Sequence, residues 1–475
     1  MTPIAQTPSG DLQGTVESGV AVFRAVPYAA APVGERRFAP PQPFAPWTGL
    51  RDATAHGPIA PQTPSRLRAA MGDFERPHSE DCLTLTIWTP AADTKPRPVL
   101  VWLHGGAWMS GAGSLDWYSG ATLAREGDLV VVGVNYRLGA LGYLHHPAIS
   151  PGNTGTADQA AALRWIATHI AAFGGNPGCI TLAGQSAGAT SIGRLVIDPA
   201  SRPLFHRILL QSGSFGRPPL AAAEAASRAE TLMRHLEIDP DAAGAAAKLR
   251  DTPPAQLLAA SGALARGLAR FASTNPPFMP VVATPTTGAA LIAQIATAAS
   301  GLDTLIGVTR DEVHAFFAAD PAMAAVDEPR ASAHIGSAIA HYRARRPGAT
   351  TLDLLADHAS DETFIQPSWA LAAALPGPTF AYRFDYTPQD NPFRACHCAE
   401  LPFTFGTLDT FHGAGMLNGA NPIIAAALSA RMRRDWISFI RTGRPGPEWP
   451  AYGPARLAMR FNDICEPATT QGSAP

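Results

Sequence analysis

Residues 184–188, Gly-Gln-Ser-Ala-Gly, form the pattern with the clearest chemical meaning in the chain. They follow the apolar run 179–183 and precede residues 187–196, whose apolar side chains recur at helical spacing. A strand that turns sharply into a helix strains the residue at its apex, and small neighbours relieve the clash there. The pattern therefore predicts that Ser186 is an exposed nucleophile and indicates a serine hydrolase, the alternative being an ordinary strand-to-helix turn.

A serine hydroxyl becomes a good nucleophile when a base takes its proton and an acid orients that base. In one common arrangement the serine precedes the acid and the acid precedes the histidine. Asp311 and Glu312 follow the predicted strand 304–308, and His397 follows the predicted strand 379–384. The residues alone supply the three parts in that order and leave Asp311 and Glu312 as alternative acids.

Residues 104–108, His-Gly-Gly-Ala-Trp, come directly after the predicted buried strand 99–103. Attack on a carbonyl carbon creates an oxyanion, which backbone N–H groups stabilise when they are already aimed at it. Glycine allows the backbone to approach a ligand closely. We predict that the N–H groups of Gly105, Gly106 and Ala187 bind the oxyanion; a simple turn at 104–108 is the alternative.

Short apolar runs alternate with helical stretches before residue 215, as in an α/β fold. The runs 99–103 and 129–134 predict buried strands, and residues 156–173 predict a helix between strands. We expect one domain over 1–475 with a mostly parallel central sheet flanked by helices. Alanine-rich residues from about 218 to 300 are expected to form a mainly helical, cap-like insertion over the active site, although a plain packing role is equally compatible.

The composition fits a globular enzyme that acts on small molecules. Hydrophobic residues make up 46% of the 475 residues, charged residues 16%, and the net charge is −2. Without a basic block, no nucleic-acid partner is expected. The amino-terminal residues lack a cationic head and an apolar stretch, and no run approaches the length of a membrane span. We therefore predict no membrane partner and a cytoplasmic location.

The five cysteines argue against a disulfide framework and against a metal centre. Their number is odd, so at least one is unpaired. Cys396, His397 and Cys398 could suggest a metal site, but zinc takes about four ligands and no second cluster at ligand spacing accompanies them. We predict that the protein uses neither metal nor other cofactor.

Further motifs are spread over nearly the whole chain and together point to one family. They lie at residues 23–29, 35–38, 80–85, 135–139, 152–153, 158–159, 173–177, 211–214 and 397–406. With them the chain resembles the type B carboxylesterases, the family of bacterial para-nitrobenzyl esterases and of cholinesterases. The resemblance implies the α/β-hydrolase fold and hydrolysis of small to medium apolar carboxylic esters through an acyl-enzyme.

Carried over position by position, the resemblance implies that Ser186 is the nucleophile, Glu312 the acid and His397 the base. Asp311 stays the alternative acid. Aromatic side chains near the motif loops are expected to line the substrate pocket, with plain core positions as the alternative. These residues are Trp108, Phe271, Phe278, Phe316 and Phe317.

Two departures from the family pattern bear on function. The family usually has glutamate before the nucleophile, whereas Gln185 is neutral, which weakens any attraction for cationic substrates such as choline esters. No cysteine precedes Cys82, so the disulfide often formed at this position in the family is replaced by a free thiol. Amides, carbamates and polyester fragments are alternative substrates. A non-catalytic, adhesion-type relative is a further alternative, but such relatives typically lack a member of the triad.

Overall fold

The computed structural model describes residues 2–411 and 413–470. Its strands, in chain order, are β1 (Ile4–Thr7), β2 (Gly10–Gln13), β3 (Thr15–Glu17), β4 (Val20–Pro27), β5 (Leu50–Asp52), β6 (Thr84–Thr89), β7 (Arg97–Leu103), β8 (Val130–Val134), β9 (His145–His146), β10 (Ser150–Pro151), β11 (Gly175–Gln185), β12 (Arg207–Gln211), β13 (Leu220–Ala221), β14 (Val281–Val282), β15 (Asp303–Thr309), β16 (Thr379–Phe384), β17 (Leu457–Phe461) and β18 (Glu466–Thr469).

A central sheet of 11 strands dominates the described part of the chain, in the order β18-β17-β16-β15-β12-β11-β7-β8-β6-β4-β3. Neighbouring strands from β17 to β8 pair in parallel, and the pairs at both edges are antiparallel. Parallel strands are apolar on both faces because helices cover the sheet on each side. The predicted mostly parallel sheet is confirmed, and the predicted strands 99–103 and 129–134 correspond to β7 and β8.

The helices, in chain order, are α1 (Arg68–Met71), α2 (Ala121–Gly127), α3 (Gly139–Tyr143), α4 (Thr154–His169), α5 (Ala187–Ile197), α6 (Ala222–His235), α7 (Ala245–Asp251), α8 (Pro254–Leu268), α9 (Gly288–Ala298), α10 (His314–Ala318), α11 (Pro321–Ala324), α12 (Glu328–Ile335), α13 (Ile339–Arg345), α14 (Thr351–Ser360), α15 (Gln366–Ala374), α16 (Leu401–Phe405) and α17 (Pro422–Thr442). A π-helix over Asp361–Ile365 joins α14 to α15. Within the two described ranges, no helix has both the length and the apolar character needed to cross a membrane.

Each face of the sheet carries its own apolar cluster. Along β7, Val99 and Val101 belong to the cluster that includes α4, α5 and α15, whereas Trp102 belongs to the cluster with α2, α16 and α17. Successive side chains of a strand point to opposite faces, so one apolar run fills both layers. The predicted helix 156–173 is α4, which is followed by a 3-10 turn over Ile170–Phe173.

Residues 218–300 are mainly helical and divide between two apolar clusters. Helices α6 and α8 share a buried cluster with Phe278. Helix α9 instead contributes Leu291 and Ile295 to a cluster that covers the sheet. The segment therefore combines a part that packs against the scaffold with a part, α8, that reaches the cavity described below.

The parallel strands bring the predicted chemical groups to one edge of the sheet. Residues 104–108 follow β7, Ser186 follows β11, Glu312 follows β15, and His397 lies in the loop after β16. Carboxyl ends of parallel strands lie at the same edge, where open α/β sheets hold their ligands. The fold thus positions residues that are far apart in sequence at a common site.

Candidate active site

Ser186 occupies the sharp turn between β11 and α5. Its backbone has φ 56° and ψ −121°, a strained conformation for a residue with a side chain. The Ser186 N–H donates a hydrogen bond of 2.8 Å to the carbonyl oxygen of Gln211, which fixes the turn to β12. A Cβ on Gly188 would lie 2.0 Å from the carbonyl oxygen of Leu103, so only glycine fits there. The turn leaves Ser186 partly exposed on the wall of a cavity.

Glu312 holds the imidazole of His397 through its ring nitrogen Nδ1. Glu312 Oε2 lies within hydrogen-bond distance of Nδ1, while Oε1 accepts a 2.8 Å bond from the N–H of Thr309. The His397 N–H also donates to the carbonyl oxygen of Glu312, at 3.3 Å. Both side chains are buried. A carboxylate at Nδ1 favours the tautomer with hydrogen on Nδ1, which leaves the lone pair of Nε2 free to accept a proton.

Asp311, the alternative acid, points to arginines and not to His397. Its carboxylate accepts hydrogen bonds from Arg310 at 2.9 Å and from Arg346 at 2.6 Å. Burial raises the pKa of Asp311, but the two arginines outweigh it and the pKa is lowered overall. The same carboxylate accepts a bond of 3.3 Å from the N–H of Ala395, so Asp311 ties down the loop that carries His397.

Gln185 contacts the other ring nitrogen of His397. The two Nε2 atoms are 3.1 Å apart, and both side chains are buried. Since Nδ1 carries hydrogen toward Glu312, Nε2 of His397 accepts from the Gln185 amide. Among the described residues, Oε1 of Gln185 has no hydrogen-bond partner. The sequence predicted the loss of a charge at this position but not this contact.

Two of the three predicted oxyanion donors adjoin Ser186, Gly105 in space and Ala187 in sequence. A Cβ on Gly105 would lie 3.1 Å from Cβ of Ser186, so the glycine backbone runs directly beside the serine. Gly106 has φ +109°, and a Cβ on it would lie 2.0 Å from the carbonyl oxygen of Ser110. Ala187 is the first residue of α5, where backbone N–H groups have no partner within the helix. Gly105 and Gly106 also line the cavity that contains Ser186.

A cavity of about 440 Å³ contains Ser186 and His397 in its wall. Small and apolar side chains form most of the remaining surface, and α8 supplies part of it. The wall comes mainly from residues 63–67, 71, 74, 105–107, 109–111, 117–118, 258, 261–262, 265–266, 269, 273–277, 316, 364 and 398. Three arginines, Arg66, Arg217 and Arg266, also line it.

Two phenylalanines pack against His397 inside the cavity. The Phe316 ring, predicted to line the pocket, lies 5.6 Å from the imidazole between centroids. Phe364 lies closer, at 4.8 Å, and comes from the π-helix between α14 and α15. The sequence gives no signal for Phe364, because one additional residue in a helical turn leaves no distinct residue pattern.

The other four aromatic residues expected in the pocket lie outside the wall of this cavity, which corrects that expectation. Trp108 is buried and donates a 3.0 Å hydrogen bond to the Ser191 hydroxyl. Phe278 is buried with α6 and α8, and Phe317 lines a neighbouring cavity. Phe271 packs under the guanidinium of Arg330. Trp108, Phe271 and Phe278 lie in loops and Phe317 lies on α10, and each packs against a helical cluster, which residue type alone does not reveal.

A buried carboxyl group, Glu400, lies behind the acid Glu312. It accepts a hydrogen bond of 3.1 Å from the amide of Gln211. Burial raises the pKa of Glu400 to about 8, and the nearby charge of Glu312 acts in the same direction. Glu400 is therefore protonated at neutral pH, and the sequence analysis did not single it out.

All five cysteines are free thiols. Cys396 and Cys398 flank His397 and are buried, and burial raises the pKa of each. The thiols beside His397 therefore stay protonated at neutral pH.

In the described ranges, no group of three or more histidine, cysteine, aspartate and glutamate side chains could hold a metal ion.

A mostly parallel sheet that carries a serine at a strained strand-to-helix turn defines the α/β-hydrolase class. The sequence model of the Carboxylesterase family matches residues 1–471. The chain belongs to the carboxylesterase family.

Three relatives are similar to this chain over nearly their full lengths. The phenmedipham hydrolase of Pseudarthrobacter oxydans is 40% identical, with 95% of this chain and 93% of the relative covered. A probable N-octanoylanthranilate hydrolase of Rhodococcus erythropolis is 39% identical, covering 98% of both. The para-nitrobenzyl esterase of Bacillus subtilis is 36% identical, covering 94% and 92%. The crystal structure of a Geobacillus stearothermophilus carboxylesterase superposes with a TM-score of 0.86 at 36% identity, covering 98% of each chain.

These similarities confirm the resemblance to bacterial para-nitrobenzyl esterases and the α/β-hydrolase fold. The protein is a carboxylic ester hydrolase, and small-molecule esters are its class of substrate.

Proposed function

We propose that Ser186, His397 and Glu312 form a catalytic triad that cleaves esters through an acyl-enzyme. The Ser186 Oγ attacks the ester carbonyl while Nε2 of His397 takes its proton and then passes it to the leaving alcohol. Water, activated by the same histidine, releases the acid. The observation that carries this proposal is the buried Glu312 carboxylate on Nδ1 of His397, in a cavity that also contains Ser186.

Gln185 takes part in the proposed cycle by occupying Nε2 before substrate arrives. The lone pair that accepts its amide hydrogen is the one that must accept the Ser186 proton. The Gln185 amide must give up this contact before Nε2 of His397 can accept the Ser186 proton. The Gln185 contact is a neutral one, so no charge has to be displaced in this step.

The N–H groups of Gly105, Gly106 and Ala187 are the proposed oxyanion donors. Their support is the close approach of Gly105 to Ser186 and the position of Ala187 at the first turn of α5. Preorganised donors of this kind stabilise a tetrahedral intermediate, and the loss of one donor by mutation costs roughly 2.7–4 kcal/mol of that stabilisation.

Small to medium esters with apolar groups are the proposed substrates, because the cavity of about 440 Å³ has mainly apolar surface. Hydrolysis of amides or carbamates is a second candidate, and the relative named for N-octanoylanthranilate supports the cleavage of an N-acyl bond. Rates on ester, carbamate and amide substrates with the same acyl group would separate the two. The ester candidate requires the ester to have the highest kcat/KM.

An organophosphate tests the nucleophile directly. Incubation should abolish activity and leave one phosphoryl adduct, which mass spectrometry of the peptides should locate on Ser186. Ser186→Ala should take up no adduct and should lose turnover by about 10⁶-fold. Ser191→Ala, which changes a serine buried behind the site, should still be labelled on Ser186. Stoichiometric labelling of another residue would overturn the proposal.

Two further assignments stay predictions. A single domain over residues 1–475 with a cap-like insertion at about 218–300 is supported by the contribution of α8 to the cavity wall. A cytoplasmic location is supported by the free state of all five cysteines, since disulfides are typical of oxidising compartments.

A further inference from the structure

Arg66 and Arg217 line the cavity that contains Ser186 and meet at one residue, Thr274. Arg66 Nη2 donates to the carbonyl oxygen of Thr274 at 2.7 Å, and Arg217 Nη2 donates to its hydroxyl, also at 2.7 Å. The two guanidinium groups are therefore neighbours held by one short segment. Each keeps further N–H donors, since a guanidinium has five.

Neither guanidinium has an acidic partner among the described residues. No ion pair involves Arg66 or Arg217 there, and none of the described residues in the cavity wall is aspartate or glutamate. Arg66 is exposed and Arg217 is half-buried; burial together with the charge of Arg66 lowers the pKa of the Arg217 guanidinium to about 10. Two adjacent cations without an acidic partner repel each other, and an anion that enters the cavity would relieve this repulsion.

The pair lies close to the groups proposed to carry out the reaction. The Arg66 guanidinium carbon is 5.5 Å from the centroid of the Phe316 ring, and that ring is 5.6 Å from the imidazole of His397. One aromatic side chain thus separates the cation from the base. A short linear molecule can reach from Ser186 to the arginines within the same cavity.

The absence of a charge on Gln185 also favours an anionic substrate. A carboxylate at this position would repel an anionic substrate from Ser186, whereas the amide does not. The third arginine of the wall, Arg266 on α8, adds positive charge to the cavity. The site as a whole is thus cationic, although the net charge of the chain is −2.

We propose that Arg66 and Arg217 form a carboxylate-binding subsite, and that the preferred substrate is an ester whose acyl or alcohol part ends in a carboxylate. This inference rests on the proposed function, because the ester bond must reach Ser186. Planar guanidinium forks match the geometry of a carboxylate, and charge-assisted bonds of this kind are among the strongest in proteins. Apolar parts of the same substrate lie against Phe316 and the wall of α8.

Matched ester pairs test the subsite. One pair is the mono-para-nitrophenyl ester of octanedioic acid and its methyl ester, which differ only in the terminal carboxylate. A second pair, meta-carboxyphenyl hexanoate and its methyl ester, places the carboxylate on the alcohol. In at least one pair the acid should be preferred by about tenfold or more in kcat/KM. Equal kcat/KM within both pairs would overturn the inference.

Arg66→Gln and Arg217→Gln should lower kcat/KM for the preferred acid by about 10- to 100-fold and should change that of its methyl ester by less than about threefold. Arg68→Gln is the matched control, since Arg68 lines only the neighbouring cavity and carries the same charge. It should leave the preference unchanged. Arg217→Lys keeps the charge without the fork and should show an intermediate loss, and melting temperatures confirm that each variant is folded. A preference that all three glutamine variants reduce equally would indicate general charge and contradict the subsite.

Binding to Ser186→Ala separates the subsite from catalysis. Calorimetry with the octanedioic or meta-carboxyphenyl acid ester should give tighter binding than with the methyl ester, by about tenfold or more, and Arg217→Gln should remove the difference. Wild-type hydrolysis of methyl esters without any preference for acids would leave the proposed function standing and overturn the subsite. Selective binding of the acid without labelling of Ser186 by an organophosphate would overturn the proposed catalysis and leave the subsite standing.

Discussion

The amide nitrogen of Gln185 lies 3.1 Å from Nε2 of His397, the atom proposed to take the proton of Ser186. Both side chains are buried, so water does not compete strongly for this contact. Glu312 holds the opposite ring nitrogen, which leaves the imidazole between one carboxylate and one neutral amide. The electrostatic surroundings of the base therefore depend on the residue before the nucleophile.

Gln185→Glu should move the acidic limb of the pH profile to higher pH by about one unit. An added carboxylate beside Nε2 favours the charged imidazolium, so a higher pH is needed before the base is neutral. The measurement is kcat/KM for a neutral ester between pH 5 and 9. Gln42→Glu, at an exposed position, should leave the profile unchanged. An identical profile for Gln185→Glu and the wild type would contradict the contact.

Glu312→Gln and Asp311→Asn distinguish the two alternative acids. Glu312→Gln should lower kcat by about 10⁴-fold, because an amide no longer holds the imidazole in the required tautomer. Asp311→Asn should keep most of the turnover and lower the free energy of unfolding by about 1–3 kcal/mol, since Arg310 and Arg346 lose a charged partner. Steady-state kinetics and urea unfolding measure the two effects. A larger loss of kcat in Asp311→Asn would reverse the assignment.

Gly105→Ala should lower kcat by about 10²- to 10³-fold while the protein stays folded. The new methyl group would lie 2.4 Å from Oε1 of Gln185 and 3.1 Å from Cβ of Ser186, so the backbone donors must shift. Gly267→Ala, on α8 with no atom within 4 Å of the added carbon, is the control and should leave kcat unchanged. Turnover of folded Gly105→Ala at the wild-type rate would remove Gly105 from the oxyanion site.

Glu400→Gln should remove a pH dependence of stability between about pH 4.5 and 8. The folded carboxyl keeps its proton until its pKa of about 8, whereas a glutamate in the unfolded chain releases its proton near a pKa of 4.5. Its contribution is therefore fully present below the unfolded pKa and is lost as the pH rises through the folded pKa. Urea unfolding of the wild type should show that the free energy of unfolding declines from pH 5 to pH 9. In Glu400→Gln this decline should be smaller by a few kcal/mol. Equal declines would place the pKa of Glu400 near that of the unfolded chain.

Local sequence patterns predicted the parts of the fold that depend on neighbouring residues. The apolar run in β7 predicts a strand buried on both faces, and Gly184 and Gly188 around Ser186 predict a turn that only small residues permit. The family resemblance then favoured Glu312 over Asp311, which spacing alone did not decide. In the structure Glu312 contacts His397, and Asp311 binds arginines.

Contacts between distant segments could not be read from the sequence. Arg66, Arg217 and Thr274 belong to three separate segments, and only the folded chain brings them together. The same limit applies to Phe364, whose approach to His397 depends on a π-helix. An aromatic residue near a motif can equally face a core, as Trp108 does, because residue type does not fix side-chain direction.

The residues at the ends of the central strands and the residues that form most of the cavity wall come from different parts of the chain. Ser186, Glu312 and His397 are tied to the ends of central strands, while much of the surface around the cavity, including Arg66 and Thr274, comes from residues 63–74 and 258–277. Exchange of those two segments between homologous chains would alter which molecules are accepted without disturbing Ser186, Glu312 and His397. The two wall segments can therefore be replaced, by evolution or by protein engineering, while the central sheet stays the same.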